Sequence, residues 1–212
     1  MSVIETVKNR RSIRRFKEDI VSDDLLEKIV DAARWAPSGD NQQPWLFIIV
    51  KDITLKERMQ SFLCDRALKY IQSDDGKKEL EKEGQDVQRR WVEAVKSRRY
   101  QGHLRKAPIL IATFGDVKSP YYVHDCCAAT ENLILAAEAL GLGSCWTDHG
   151  IGDELLELQM RDLLKVPNNY RLVSLVAIGI PDETPKPKPR KDIAETVFLN
   201  QYGRNLELKS LD

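Results

Sequence analysis

Four short stretches of the chain carry side chains whose types and spacing suit chemistry. In RRSIRR, residues 10–15, Arg10, Arg11, Ser12 and Arg14 gather guanidinium groups and a hydroxyl within a few positions. Guanidinium forks bind phosphate bidentately, although a short arginine cluster on its own is more ordinarily a solvated basic turn. In KPKPRK, residues 186–191, proline holds the backbone extended, so that Lys186, Lys188 and Arg190 project at two-residue spacing on one side. Alone, this segment reads equally as a basic proline-rich tail.

The third stretch, APSGDNQQPW at 36–45, sets Pro37, Ser38, Gly39, Asn41 and Gln43 directly before an apolar run. Its hydroxyl and amides offer donors and acceptors together, and glycine permits close backbone approach. The edge of a flat heteroaromatic ring needs such partners, while an ordinary helix-to-strand loop also favours these residue types. The fourth is GLGSCW at 141–146, containing Leu142, Gly143 and Ser144. It fails as a dinucleotide-binding glycine loop, because Trp146 takes the third glycine position and a helix, not a strand, precedes it. A helix C-cap followed by a small-residue loop is the plain reading, and backbone contact with a ligand is the functional one. His124 with Cys127, and Cys145 with His149, lack the paired spacing of a zinc site. No G-x-S-x-G elbow is present for acyl transfer. No metal and no acyl-enzyme chemistry are expected.

The elements that must position these stretches follow from hydrophobic periodicity. Ser2 with Glu5 forms a capping box for a short helix, and Ser22 or Asp24 opens a second with Leu25, Leu26, Ile29, Val30 and Ala33 on one face. Residues 46–50, 109–114 and 172–180 have the length and β-branched content of buried strands. Residues 52–106 read as charged, peripheral helices with DDG at 74–76 as the break. Residues 122–140 are apolar or small on most sides, as in a helix buried in the core or in a subunit interface. A shorter helix is expected near 152–164. PDETPKPKPRK, with four prolines, must be extended. Helices and strands mix without βαβ alternation, which makes the fold α+β and the chain, 1–212, a single domain.

Lysine plus arginine and aspartate plus glutamate number 33 each, so no global field draws the chain to nucleic acid or to an anionic membrane. The N-terminal residues show no apolar signal region, and no stretch nears the roughly 18 apolar residues of a membrane span. A cytoplasmic protein is expected. Four cysteines without CxxC point to reduced thiols.

Taken together and in order, RRSIRRF, APSGDNQQPW, GLGSCW and the K-P-R after the last strand resemble the nitroreductase family of FMN-dependent oxidoreductases, from Arg10 to about Lys191. The resemblance implies a central mixed, mainly antiparallel sheet flanked by helices, in an intertwined homodimer with two FMN molecules at the subunit interface. The 122–140 helix would lie at that interface, and residues 181–212 would extend over the partner. Position by position, it implies FMN contacts from Arg10, Arg11 and Ser12, a phosphate pair in Lys188 and Arg190, and a redox-tuning cation in Arg14. It further implies that Pro37, Ser38, Gly39, Asn41 and Gln43 meet the flavin largely from the partner subunit, and that Leu142, Gly143 and Ser144 lie along the isoalloxazine.

The implied chemistry is ping-pong hydride transfer from NADH or NADPH to a small-molecule acceptor such as a nitroaromatic or quinone. No side chain is assigned as acid or base, because flavin does the chemistry. Residues 52–106 would form the substrate lid, with Tyr70, Trp91 and Tyr100 as wall residues. The TDHG sequence at 147–150 departs from the family where ring-edge contacts fall. Two alternatives remain open: the same fold used for reductive dehalogenation or flavin breakdown, and a non-redox anion-binding module. A tyrosine deiodinase would need a Glu, Tyr and Lys cluster in the lid, and residues 52–106 show no convincing match.

Overall fold

The computed structural model describes residues 2–147 and 153–205. Its centre is a four-stranded sheet of β1 (Trp45–Val50), β2 (Ile109–Asp116), β3 (Gly143–Thr147) and β4 (Tyr170–Gly179), in the order β1-β2-β4-β3. All three ladders are antiparallel. The parallel component expected of a mixed sheet is reduced, among the described residues, to one isolated bridge between Ser12 and Ser144.

Both faces of the sheet are covered, because alternate strand residues point to opposite sides. Leu110, Ala112 and Phe114 of β2, with Leu175 and Ala177 of β4, pack on Met59, Leu63, Leu156 and Met160. Those four come from α3 (Ile53–Gln72) and α8 (Glu154–Leu163). Ile109, Ile111, Val176 and Ile178 face the other way onto Ile29, Ala33, Leu133 and Ala137, which belong to α2 (Asp23–Arg34) and α7 (Tyr122–Ala139). Leu172 to Gly179 is buried at every position, the signature of a strand covered on both sides.

Local signals set the helix boundaries. The Ser2–Glu5 capping box opens α1 (Val3–Asn9), and the Ser22 hydroxyl accepts from Leu25 N at the start of α2. Gly141, at φ 77°, stops α7. The expected break at DDG falls instead at Ser73, which ends α3 and caps α4 (Asp74–Glu81) through Gly76 N. Asp74 and Asp75 favour a helix N-terminus, and the glycine is needed for packing: a Cβ on Gly76 would lie 1.9 Å from the Tyr70 carbonyl oxygen. Then follow α5 (Gln85–Lys96) and α6 (Gly102–Lys106), which completes a helical 53–106 segment. Among the described residues no helix is long and apolar enough to cross a membrane.

GLGSCW does not remain a loop. Gly143 to Thr147 pairs with β4 as an edge strand, and a strap, residues 12–17, attaches beside it. Ile13 N donates to Ser144 O at 2.8 Å, Lys17 N to Ile180 O at 2.9 Å, and Asp182 N to Arg15 O at 3.0 Å. The Glu183 carboxylate accepts from Arg14 N at 2.5 Å and Arg15 N at 3.0 Å. These backbone donors hold the Glu183 carboxyl below the ordinary carboxylate range, with nearby Arg15 and Arg14 helping. The Ile13 side chain, 5% exposed, sits within 2.8–2.9 Å of where a Cβ on Gly143 would stand.

That contact predicts a specific non-additivity. Gly143→Ala should destabilise by about 1–3 kcal/mol through overpacking, and Ile13→Ala by about 2–5 kcal/mol through a cavity. In urea unfolding the double variant should lose less than the sum of the singles, whereas strict additivity would show that Ile13 does not occupy the site. The strap also predicts a pH dependence. The Glu183 carboxyl is depressed in the fold, so its stabilisation is fully present above the ordinary value of 4.5 and lost as pH falls through the lower folded value. The stability gap between wild type and Glu183→Gln should therefore be open at neutral pH and close on acidification below that point; a gap that persists would contradict the charge assignment.

Candidate functional site

The strap and the tail build a cleft of about 820 Å³ between them. Arg10, Arg11, Ser12 and Arg14 line one side, and Lys186, Lys188 and Arg190 the other, with Glu131 of α7 and Glu183 also present. Two basic segments more than 170 positions apart in the sequence thus meet on one space. Their cations are not equivalent. Arg11 directs one guanidinium nitrogen at the carbonyls of Lys8 and Arg10 at 2.7 and 2.8 Å, and among the described residues Arg10, Arg11, Arg14, Lys188 and Arg190 enter no salt bridge. A hydroxyl and several unpaired cations around one cleft form a donor set that fits a phosphate monoester.

On the other face of the tail, Arg11, Ile13, Leu142, Gly143 and Pro187 border a smaller space of about 420 Å³. Leu142 is 4% exposed and packs into the α2 and α7 core, and Ser144 is 2% exposed with its carbonyl taken by Ile13 N. Of the three residues in this motif, Leu142 and Ser144 are buried and offer little side-chain surface, and the missing Cβ of Gly143 is accounted for by Ile13.

Pro37, Ser38, Gly39, Asn41 and Gln43 line neither of these clefts. They form a 3-10 turn, Gly39–Asn41, and its flanks, where Asp40, Asn41 and Gln43 hold φ values of 49°, 55° and 48°. Three left-handed non-glycine residues in four positions cost energy and persist only where surroundings enforce them. Here Ser38 Oγ accepts from Gln43 N at 3.0 Å, Asn41 Oδ1 accepts from Gln43 Nε2 at 3.1 Å, and the Asp125 carboxylate accepts from Gly39 N at 3.3 Å. The Tyr121 ring stands 2.5 Å from a Cβ on Gly39. Asn41 and Gln43 remain exposed, beside Trp35 and Tyr121, which are 73% and 51% exposed.

A third and larger space, about 1160 Å³, opens between the strap and the helical 53–106 segment, and Arg14 lines it as well. Its other walls include Lys56, Arg98, Arg99, Tyr100, His103, Arg105 and Lys106. His103 is buried, its Nε2 3.4 Å from Thr147 Oγ1 at the end of β3. Lys56, 5% exposed, donates to the carbonyls of Ala107 and Pro108 at 2.7 and 3.3 Å, and burial pushes its ammonium pKa down. Of the three aromatic residues expected as lid walls, only Tyr100 lines this space. Tyr70 and Trp91 border a separate 320 Å³ cleft, and the three rings stack edge-on at 6.3 and 6.1 Å over Ala67, Ile71 and Val95. Their rings pack the helical 53–106 segment together.

Sequence reasoning missed Asp125, Glu183 and the cations of 98–106. The last carried a signal, since SRRYQGHLRK, 97–106, holds five basic residues directly before β2. The other two act on backbone N–H groups remote in sequence. The ring-edge contacts expected over Thr147 to Gly150, and His149 with them, lie outside the described residues beyond Thr147. Burial raises the Cys64 and Cys145 thiols and pushes Cys126 up to about 12, which disfavours the nucleophilic thiolate at these three positions.

Comparison with known proteins agrees with this architecture. The Nitroreductase family model matches residues 7–180. A protein of Archaeoglobus fulgidus, provisionally named an NADH dehydrogenase/NAD(P)H nitroreductase, is 31% identical over 183 residues that span 85% of this chain and 86% of its own. The iodotyrosine deiodinase of Thermotoga neapolitana is 30% identical over 194 residues, 89% of this chain and 94% of that one. Among solved structures, a nitroreductase with bound FMN from Bacteroides fragilis has a TM-score of 0.72 at 27% identity, covering 95% of this chain and 100% of the other. With the family pattern over most of its length and relatives that it spans nearly end to end, the chain belongs to the nitroreductase family of oxidoreductases.

Proposed function

We propose that the chain is an FMN-dependent NAD(P)H oxidoreductase, a single cytoplasmic domain working as a homodimer on a small-molecule acceptor such as a nitroaromatic or quinone. The observation that carries this reading is the convergence of strap and tail cations on one cleft, with Arg14 shared between that cleft and the larger one beneath the lid. FMN, when bound, supplies the two-electron chemistry, taking electrons from the nicotinamide and passing them to the acceptor.

In this reading Arg10, Ser12, Lys188 and Arg190 hold the cofactor phosphate, with Arg11 fixing the turn that presents them. Arg14, which lines both clefts, would supply a cation toward the ring and so tune its reduction electrostatically. The backbone at Leu142, Gly143 and Ser144 would serve the cofactor's ring system, with little side-chain surface offered. The 37–43 turn, whose amides face outward in one chain, serves the cofactor of a second copy, and Asp125 holds it in its strained shape. The lid and the buried walls around His103 limit water at the reacting face. No side chain is assigned to move a proton.

A second reading, reductive dehalogenation on the same flavin, is favoured by the similarity to the Thermotoga deiodinase. In the structure Glu79 pairs with Lys82 at 3.0 Å on exposed α4, and Glu79 with Tyr70 borders the 320 Å³ cleft, apart from the Arg14 clefts. That arrangement does not place a Glu, Tyr and Lys grip over the flavin side, and the nitroreductase-type reading stands first.

Purified protein should show a visible flavin band, release FMN near one per chain on heating, and bleach anaerobically with NAD(P)H. A colourless protein that neither binds FMN nor gains melting temperature from it defeats the reading, and iodotyrosine turnover without nitroaromatic turnover moves the assignment to dehalogenation. Replacing cations and loop anchors separates the roles further. Lys188→Gln or Arg190→Gln should weaken FMN by about 10- to 100-fold, the size of one lost charge-assisted hydrogen bond, and leave riboflavin affinity nearly unchanged. Asp125→Ala should weaken FMN and riboflavin alike, about tenfold, because the ring contacts and not the phosphate are lost; selective loss of FMN alone would contradict the role given to the 37–43 turn.

A further inference from the structure

The chain as a whole is neutral, yet the 1160 Å³ space beneath the lid is lined by seven basic side chains and only two acidic ones, Glu18 and Asp182. This excess is separate from the cations around the strap and tail cleft, with only Arg14 common to both. In the flavin reading, one cofactor phosphate would take the cations of the first cleft. The second cleft has cations of its own, of which Arg15, Arg98, Arg99 and Arg105 are partnered by carboxylates from outside it.

Three of these arginines have carboxylate partners at hydrogen-bond distance. Arg98 donates to Asp65 at 2.8 Å and to the Ser61 hydroxyl at 2.5 Å, Arg99 to Glu93 at 2.6 Å, and Arg105 to Glu57 at 3.3 Å. None of these carboxylates lines the cleft, so each orients a guanidinium from outside it and leaves further N–H donors available. Lys106 enters no salt bridge among the described residues. Paired guanidinium groups match phosphate better than they match a neutral nitro or quinone oxygen. The size is informative too, since a space above the usual 300–1,000 Å³ of small-ligand pockets suits a dinucleotide more than a single aromatic ring.

We propose that the 97–106 segment, through Arg98, Arg99, Arg105 and Lys106, binds the adenosine 2′-phosphate of the electron donor, which makes the enzyme selective for NADPH over NADH. This rests on the flavin reading above, and it assigns the lid a donor-selecting role. The 2′-phosphate is the only group that distinguishes the two donors, so the non-reducing fragments 2′,5′-ADP and 5′-AMP isolate it.

The test uses FMN-loaded protein, titrated calorimetrically with each fragment and then reduced anaerobically by NADPH or NADH. The expected result is 2′,5′-ADP binding at least about tenfold more tightly than 5′-AMP, with the same order in flavin reduction at low donor concentration. In Arg105→Gln/Lys106→Gln both preferences should fall toward one, with bound FMN verifying that the site is still assembled. Equal binding of the two fragments, or a preference that survives the double substitution, overturns the proposal. If 2′,5′-ADP competes with FMN itself and not with the donor, the phosphate lies in the strap and tail cleft and the proposal also fails. A protein that holds no FMN overturns this inference and the flavin reading together, whereas one that holds FMN without discriminating the fragments overturns this inference alone.

Discussion

The strap over residues 12–17 is the constraint from which the rest of the site follows. Its hydrogen bonds reach β3 through Ser144 O, the exit of β4 through Ile180 O, and the tail through Asp182 N and Glu183. With those bonds in place, Arg10 and Ser12 stand opposite Lys188 and Arg190, and Arg14 falls between the two basic clefts. Without them, each basic segment is the solvated surface cluster that it resembles in isolation. The cleft is thus a by-product of backbone pairing at the edge of the sheet, where Ile13 packs into the space beside Gly143.

Much of this was legible in the sequence. The runs at 46–50, 109–114 and 172–180 became β1, β2 and β4 because long β-branched stretches admit few other readings. Capping serines and Gly141 marked helix ends for the same local reason. Strand β3 was missed since Gly, Ser, Cys, Trp and Thr lack such a run, and its pairing comes from the neighbours that enclose it. The DDG triplet misled because acidic residues and glycine break a helix in most contexts, whereas here they begin one against the last turn of α3. Asp125 and Glu183 could not be recognised at all: their partners are backbone amides 86 and 169 positions away, and a backbone amide carries no signature in the side chains.

Charge balance illustrates a further difference between sequence and structure. Equal numbers of acids and bases exclude a strong global field, but they say nothing about segregation. In the fold, Asp65, Glu93 and Glu57 lie behind the arginines that they orient, and the cationic groups border the cavity. The low dielectric of a partly enclosed cleft then makes a handful of cations count for more than the whole surface. The strained 37–43 turn is the complementary case, an uncharged feature whose donors and acceptors are set by backbone conformation.

The strap also has a consequence for how the protein comes into being. Its partners are supplied by residues 144 and 180–183, so the strap closes only when segments remote in the sequence have come together. Contacts of such sequence separation form late and slowly. Until the tail is in place, the arginines of residues 10–14 have no opposite wall, and the cleft between strap and tail does not exist. In the flavin reading, a bound cofactor would bridge two basic segments more than 170 positions apart in the sequence, and so would hold the strap and the tail to each other.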